Sequence, residues 1–455
     1  MRTTFTVLLI SAQSLFGATY YIATTGSDAA DGSSGTPWLT ISKAMTTVVA
    51  GDTVNVAAGT YSGSATTSTD GTGASPITFS GTATTNAILT GILTATKSNY
   101  RFNNFTFKDN RAFSASGPNP TNWTISNCYF TNTTPQSFNL TRSGSVTNGP
   151  KDWKIIFNRF DNWAGGTTLT LTGERHLIRS NRFERCEQSW DVMGIYGDGH
   201  IIADNYFANL VSGASATPPN ARHADIIQFF DGATNPWEYG SRSNTFARNY
   251  VTNSGYQFGN ATADNGSTNF GPWWIYNNVF VDSRTQWNGE TPYMNFYHNT
   301  IVSSTTTYGL RFSDSTVTGG ADNGRVINNI FARIFSFSYV SNSVTNFTAN
   351  GNWFSSAADG AFNASVVDGA FGNTNGFNPS DIFIDFAAGD FRIKSGASMI
   401  GKGTNALDLV TDDYHGTARG AAPTPGAYEF VEYVITTPAR LGPGKFNGGG
   451  SIGRR

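Results

Sequence analysis

His223 and Asp225 stand two residues apart at the end of a long loop. In an extended strand that spacing puts both side chains on the same side. An imidazole that titrates near neutrality, oriented by a neighbouring carboxylate, is suited to take a proton from carbon. His223 lies in the most irregular stretch of the chain, 187–265, among other groups that could share such a task. Tyr196 offers a phenol, and Arg222 and Arg242 offer guanidinium forks that fit a carboxylate. Trp237 and Phe230 offer aromatic faces for sugar rings, and Gln228 and Gln257 offer amides for hydroxyls. Asp198, Asp231 and Glu238, with Asp191 and Asp225, offer oxygens for calcium, which takes about six to eight. Two of the same carboxylates, some 5 to 9 Å apart, would instead make the acid and base of a glycosidase. Each type also has a plain structural use, since isolated Asp residues form turns and loop arginines sit in solvent.

Residues so spread along the chain need a frame to gather them, and the frame is a repeat. One unit recurs as Trp123 to Phe130, Trp153 to Phe160, His176 to Phe183, His200 to Phe207 and Asn244 to Val251. It continues as Trp273 to Phe280, Met294 to Ile301, Gly324 to Phe331 and Phe347 to Phe354. Each reads as a short strand with an Asn two places before a closing Phe or aliphatic residue; in the first unit Cys128 takes the place of the Asn. The Asn column is Asn158, Asn181, Asn205, Asn249, Asn278, Asn299, Asn329 and Asn352. The closing residues lie 21 to 30 apart, with one interval of 44 between Phe207 and Val251. A second, less regular strand series occupies 168–173, 191–197, 225–232, 256–260 and 308–314. Counting 225–232 as a coil of its own splits the long interval into two coils of 22.

A period of this length is a solenoid signature. The expected fold is all-β: a single-stranded right-handed parallel β-helix of about eleven coils, a rod on the order of 50 Å long. Closing Phe residues should stack along the interior. The Asn residues should occupy tight turns, where Asn tolerates left-handed backbone and its amide bonds the coils above and below. His176 and His200 stand where other coils carry Trp and should be stacked structural residues. Strand alternation turns Met193, Ile195, Ile227 and Phe229 inward, and leaves Gln228 and Phe230 outward beside Tyr196 and Gln257.

Composition agrees. Charged residues are 13% of the chain, against a usual figure of about 25%, and Gly, Phe and Tyr number 50, 34 and 18. The net charge of -2 gives no electrostatic reason to expect nucleic acid. Arg2, the apolar run Phe5 to Ile10 and the small residues up to Ala18 read as an export signal over 1–18. No later run is long enough to span a bilayer. The β-helix should cover 19–430, with a short N-terminal capping helix at 41–49 and a flexible Pro- and Gly-rich tail at 431–455. A monomer in the extracellular space, the periplasm or on the cell surface is expected. Cys128 and Cys186 stand two coils apart, about 10 Å, beyond the ~7 Å reach of a disulfide.

The two ends add a resemblance. The stretch from Tyr20 to Tyr61, with Gly26-Ser27-Asp28, Pro37-Trp38 and Gly51-Asp52-Thr53-Val54, resembles the N-terminal cap of secreted β-helix proteins such as the family 9 pectate lyases. The stretch Asp390 to Asn405, followed by His415 to Phe430, resembles the closing segment of the same group. The resemblance implies an extracellular protein that binds or cleaves polysaccharide. In that family a Lys takes the proton and acidic residues hold calcium. This chain has no Lys between Lys154 and Lys394, so a base in the middle coils must be of another type. His223 or Tyr196 would take the proton in a lyase acting on an acidic glycan. A glycoside hydrolase built on two carboxylates and a glycan-binding surface protein without catalysis are the alternatives.

Overall fold

The computed structural model describes residues 17–432 apart from 84–85, 117–119, 132–136, 142–148, 162–166, 186–190, 211–224, 231–240, 255–257, 263–270, 284, 290–292, 304–309, 314–322, 334–338, 341–345, 356–373 and 405–409. Each coil is built from three strands. In one of them Lys154–Ile156 runs in a first sheet, Arg159–Asp161 in a second and Leu169–Leu171 in a third, and Leu177–Arg179 returns to the first sheet one rung on. Among the described residues the first and second sheets have 13 strands each and the third has 11, with every neighbour parallel within the long sheets. At about 4.8 Å per rung this is a right-handed parallel β-helix on the order of 60 Å long. The recurring unit of the sequence is therefore two strands with a corner between them.

The corner is where the Asn column works. Asn181 Oδ1 accepts from the backbone N–H of Asn158 at 2.9 Å and from its Nδ2 at 3.1 Å, while Asn181 Nδ2 donates to Ile155 O at 2.7 Å. The same triple bond pattern recurs through Asn205, Asn249, Asn278, Asn299 and Asn329 to Asn352. The left-handed backbone expected of these residues lies one place earlier, at Phe157, Ser180, Asp204, Arg248, Asn277, His298 and Asn328. The ladder Asn is held by amides on both sides, so the residue before it makes the bend. Cys128 fills the column at its upper end. Its N–H donates to Asn158 Oδ1 at 2.9 Å, its thiol is unbridged, and burial pushes that thiol up to about 12. Cys186 lies outside the described residues.

Inside, register turns the repeat into columns. Phe107, Phe130, Phe160, Phe183 and Phe207 pair in register along the second sheet, with ring centroids 4.6 to 4.9 Å apart and planes within 9°. Each fully buried Phe contributes roughly 1.5–3 kcal/mol of apolar transfer. A second column opens the first sheet: Tyr100, Trp123, Trp153, His176, His200, Asn244 and Trp273. Trp123 and Trp153 stack at 4.8 Å and His176 and His200 at 4.9 Å. Every ring in it has a polar tip that meets a turn carbonyl: Tyr100 reaches Thr69 O, Trp123 reaches Lys97 O and Trp153 reaches Pro120 O. His176 and His200 do the same with Nε2, toward Thr172 O and Tyr196 O. Their Nδ1 atoms accept from the backbone N–H of Trp153 and His176. Only the neutral imidazole with its proton on Nε2 can do both, and desolvation brings the two groups down to about 3 and about 4.

The N-terminal end carries the short helix that the sequence suggests. The capping helix spans Ile41–Thr47, with Thr40 as N-cap and Asp28 accepting from the backbone of Leu39 and Thr40. At the other end residues 374–404 and 410–432 fold back over the outer face of the second sheet. Phe383, Phe391, Ile393, Met399 and Tyr428 cover Val279, Val302, Ile330 and Ala332 there. Arg419 pins this arm. It is buried and donates to Glu429 Oε2, Asn277 Oδ1 and the carbonyls of Asp412, Thr424 and Gly426; desolvation brings it down to about 10. No helix among the described residues is long and apolar enough to cross a membrane.

Two outcomes follow from the columns. Asn278→Ala removes the acceptor of the Asn249 N–H and Nδ2, so denaturant unfolding should show a loss of about 1–3 kcal/mol. Protonation of His176 is resisted in the folded state, so the unfolded chain binds the proton better once pH falls below about 6.5. The stability this residue contributes is whole above that pH and declines on acidification toward about 3. His176→Asn lacks the titrating ring, so the stability gap between parent and variant, measured by unfolding at several pH values, should narrow from about pH 7 to about pH 4.

Candidate functional site

One coil departs from the rest. Asn205 bonds Asn249 directly, 44 residues away, and the strands Ile201–Ala203 and Tyr206–Leu210 pair with Asn244–Ala247 and Tyr250–Ser254. The strand Asp225–Phe230 is the third-sheet strand of this same coil, between Asp191–Ile195 and Gly259–Thr262. It is not the separate coil that spacing alone suggested. The extra length is spent in two long connections, 211–224 and 231–240, one before and one after the third-sheet strand. His223, Arg222, Asp231, Trp237 and Glu238 fall in those connections, outside the described residues, as does Gln257.

The strands they flank bring several polar groups together. Asp191 pairs in register with Asp225, Met193 with Ile227 and Gly194 with Gln228. Met193, Ile195 and Ile227 point into the core as alternation requires. Asp191, Asp225 and Gln228 are nonetheless buried. Gln228 was expected in solvent; its amide, oriented by its surroundings, faces the Asp191 carboxylate and donates to both oxygens, at 2.8 Å to Oδ1. A polar side chain on a sheet face can be buried when a partner satisfies it. Phe230 has its strand position described but not its side chain.

Tyr196 lies beside them. Its ring covers Gly194, where an added Cβ would stand 3.1 Å from Cε2 and 3.4 Å from the phenol oxygen. A residue with any side chain at position 194 would displace that ring. The Tyr196 backbone is held on both sides: its N–H donates to Leu171 O at 2.8 Å, and its carbonyl faces His200 Nε2 at 3.2 Å. Gly197 then turns the chain at φ 108, with Gly173 O 2.0 Å from where a Cβ would sit.

Asp198 and Arg242 prove to be each other's partner. They pair in register on adjacent rungs, and Arg242 donates from Nη2 to Asp198 Oδ2 at 2.8 Å and from Nε to Oδ1 at 3.2 Å. That hydrogen bond raises the guanidinium above its ordinary value. Opposite charges one rung apart satisfy one another, so a calcium ion at Asp198 or a uronate carboxylate at Arg242 would have to replace this partner. Among the described residues no three His, Cys, Asp or Glu side chains gather as a metal would need, and both Asp191 oxygens are engaged by Gln228.

Sequence reasoning gave Asp191 as one carboxylate of five and His200 as a stacked structural residue, and His200 does stack on His176. The contact of His200 with Tyr196 has a signal in the alignment of two turns, Thr172-Gly173-Glu174-Arg175-His176 and Tyr196-Gly197-Asp198-Gly199-His200.

Among solved structures, XylC in complex with xylose matches over 90% of this chain and 98% of its own, with a TM-score of 0.56 at 10% identity. The chain has the parallel β-helix fold. The pectate lyase Pel9A matches over 91% and 96%, with a TM-score of 0.45 at 16% identity. An alginate lyase from Paenibacillus sp. str. FPU-7 matches over 79% and 98%, with a TM-score of 0.42 at 11% identity. Residues 24–69, the N-terminal cap, match a family described as a protein of unknown function, DUF1565. No curated protein matches the chain.

The glycine after Tyr196 gives a test of the turn. Gly197→Ala should destabilise the fold by about 3 kcal/mol or more, since it adds both a backbone clash and a strained conformation. Gly389→Ala, at φ 77 with open space around it, should lose only about 1–2 kcal/mol. Equal losses in thermal unfolding would mean that the close approach of Gly197 to Gly173 is not tight.

Proposed function

We propose that the protein is a secreted polysaccharide lyase that acts on an acidic glycan by β-elimination. The observation that carries this reading is the Tyr196 phenol laid over Gly194, the register partner of Gln228, with Gln228 in turn holding the Asp191 carboxylate. They stand beside the one coil whose two connections are both enlarged. In a solenoid, enlarged connections build the binding face.

In the proposed reaction His223 or Tyr196 takes the proton from the carbon next to the substrate carboxylate. The electron pair of that C–H bond becomes the new double bond, the adjacent C–O bond to the next sugar breaks, and the leaving oxygen takes up a proton. Arg222 would neutralise the substrate carboxylate, because Arg242 is engaged by Asp198. Gln228 and Asp191 hold one another and are buried, so they support the rungs beside Tyr196. Calcium, if bound, would be held by Asp231 and Glu238 of the flanking connections.

A second reading is a glycoside hydrolase with two carboxylates as acid and base; Asp191 and Asp225 are buried, so it would draw on Asp231 and Glu238. The two readings differ in product. Incubation with a panel of uronate-containing glycans should give an unsaturated sugar that absorbs in the ultraviolet. New reducing ends without that absorbance would support the hydrolase instead, and binding without either would leave a glycan-binding protein. On a substrate that the parent cleaves, His223→Ala or Tyr196→Phe should lower kcat about 10²-fold, the usual scale for a lost acid or base, with Tm nearly unchanged. Full activity in both variants would overturn the assignment.

A further inference from the structure

Two successive turns from the third sheet to the first use the same five-residue device. In Thr172 to His176 and in Tyr196 to His200, the imidazole at the end reaches back to the carbonyl of the first residue, at 2.8 and 3.2 Å. The two imidazoles stack with planes 4° apart. Each Nδ1 accepts from the backbone N–H of the preceding rung. Every imidazole nitrogen therefore has a single fixed task.

The turns differ in what their first residue does. The Thr172 hydroxyl donates to Leu140 O at 2.9 Å and stays in the frame. Tyr196 instead lays its phenol over Gly194, the register partner of Gln228. The peptide that His200 holds is followed by Gly197, the residue with most freedom to rotate. His200 itself is buried and cannot meet a substrate.

We infer that His200 is a positioning residue: its Nε2–H fixes the Tyr196 carbonyl and thereby sets the phenol over Gly194. This rests on the place of Tyr196 in the proposed site. Three restraints define the Tyr196 backbone: the N–H to Leu171 O, the close approach of Gly197 to Gly173 and the bond from His200. The first two fix the path of the chain. The third fixes the plane of the peptide that follows Tyr196 Cα, the atom from which the side chain leaves.

Two substitutions separate this role from the ladder. Asn puts its oxygen near the place of Nδ1; Asn244, one rung on, already accepts there from the His200 N–H at 2.7 Å. His200→Asn should therefore keep the acceptor for His176 and lose the bond to Tyr196. Gln carries its amide to the place of Nε2, so His200→Gln should keep the bond to Tyr196 and lose the acceptor. The readout is the rate at which tetranitromethane nitrates Tyr196 in the folded full chain, followed by peptide mass. His200→Asn should raise that rate severalfold, while His200→Gln and the ladder control His176→Asn stay close to the parent. An unchanged rate in His200→Asn, or an equal rise in His176→Asn, would overturn the inference. On a glycan that the parent cleaves, His200→Asn should lower kcat more than it alters KM, and His200→Gln should restore most of it. If Tyr196→Phe is fully active while the nitration pattern holds, the positioning stands and it is the catalytic reading of Tyr196 that fails.

Discussion

Everything in this molecule depends on a bond that joins one rung to the next through a side chain. Main-chain ladders alone would leave the corners of each coil with buried donors and acceptors and no strand to pair them. The Asn column supplies those partners at the corner between the first and second sheets from Cys128 to Asn352; each amide oxygen accepts from the preceding rung, and each nitrogen donates to a carbonyl of that rung and to the amide oxygen of the next. An unsatisfied buried amide is costly, so the column fixes where coils turn. That in turn fixes the register on which the Phe and Trp/His columns depend.

Once the register is fixed, loops can change without cost to the frame. The coil from Ile201 to Asn244 shows this. Its first two strands pair with their neighbours as in any other coil, although two long connections interrupt its path. The polar groups that gather at Asp191, Asp225, Gln228 and Tyr196 sit on rigid third-sheet strands, and the enlarged connections spring from the ends of one of these strands. The frame gives precision and the connections give variety. The same logic explains why Asp198 and Arg242 found each other: in-register pairing sets any two such residues side by side.

The fold was legible because its repeat is written in residue types that only a stacked architecture uses together: a flat ring, an Asn and a Phe at fixed offsets. What the repeat did not reveal was which residue bends. Phe157 and Arg248 adopt the left-handed corner although neither type favours it. The demand comes from the neighbouring Asn and not from the residue itself. The long interval was misread for a related reason. A strand of the third sheet, met alone in sequence, looks like a strand of any sheet, and only pairing tells them apart. Gln228 was placed in solvent by alternation, which reports the face of a strand and is silent about what covers it. His200 shows the opposite limit: the sequence told its column correctly, while its contact with Tyr196 depends on a turn whose closure is visible only in space.

The Asn ladder also has a direction. In every link the earlier rung offers its N–H and carbonyl, and the later rung brings the amide that receives them. A chain emerging from the ribosome presents its rungs in that order, with N-terminal parts able to settle first. The cap and first coils can form on their own apolar contacts, and each new coil then seals the corner of the one before it. At any moment of synthesis only the newest corner waits for its partner. A solenoid polarised this way grows by completing what has already been laid down, and that suits a long chain made almost wholly of distant contacts.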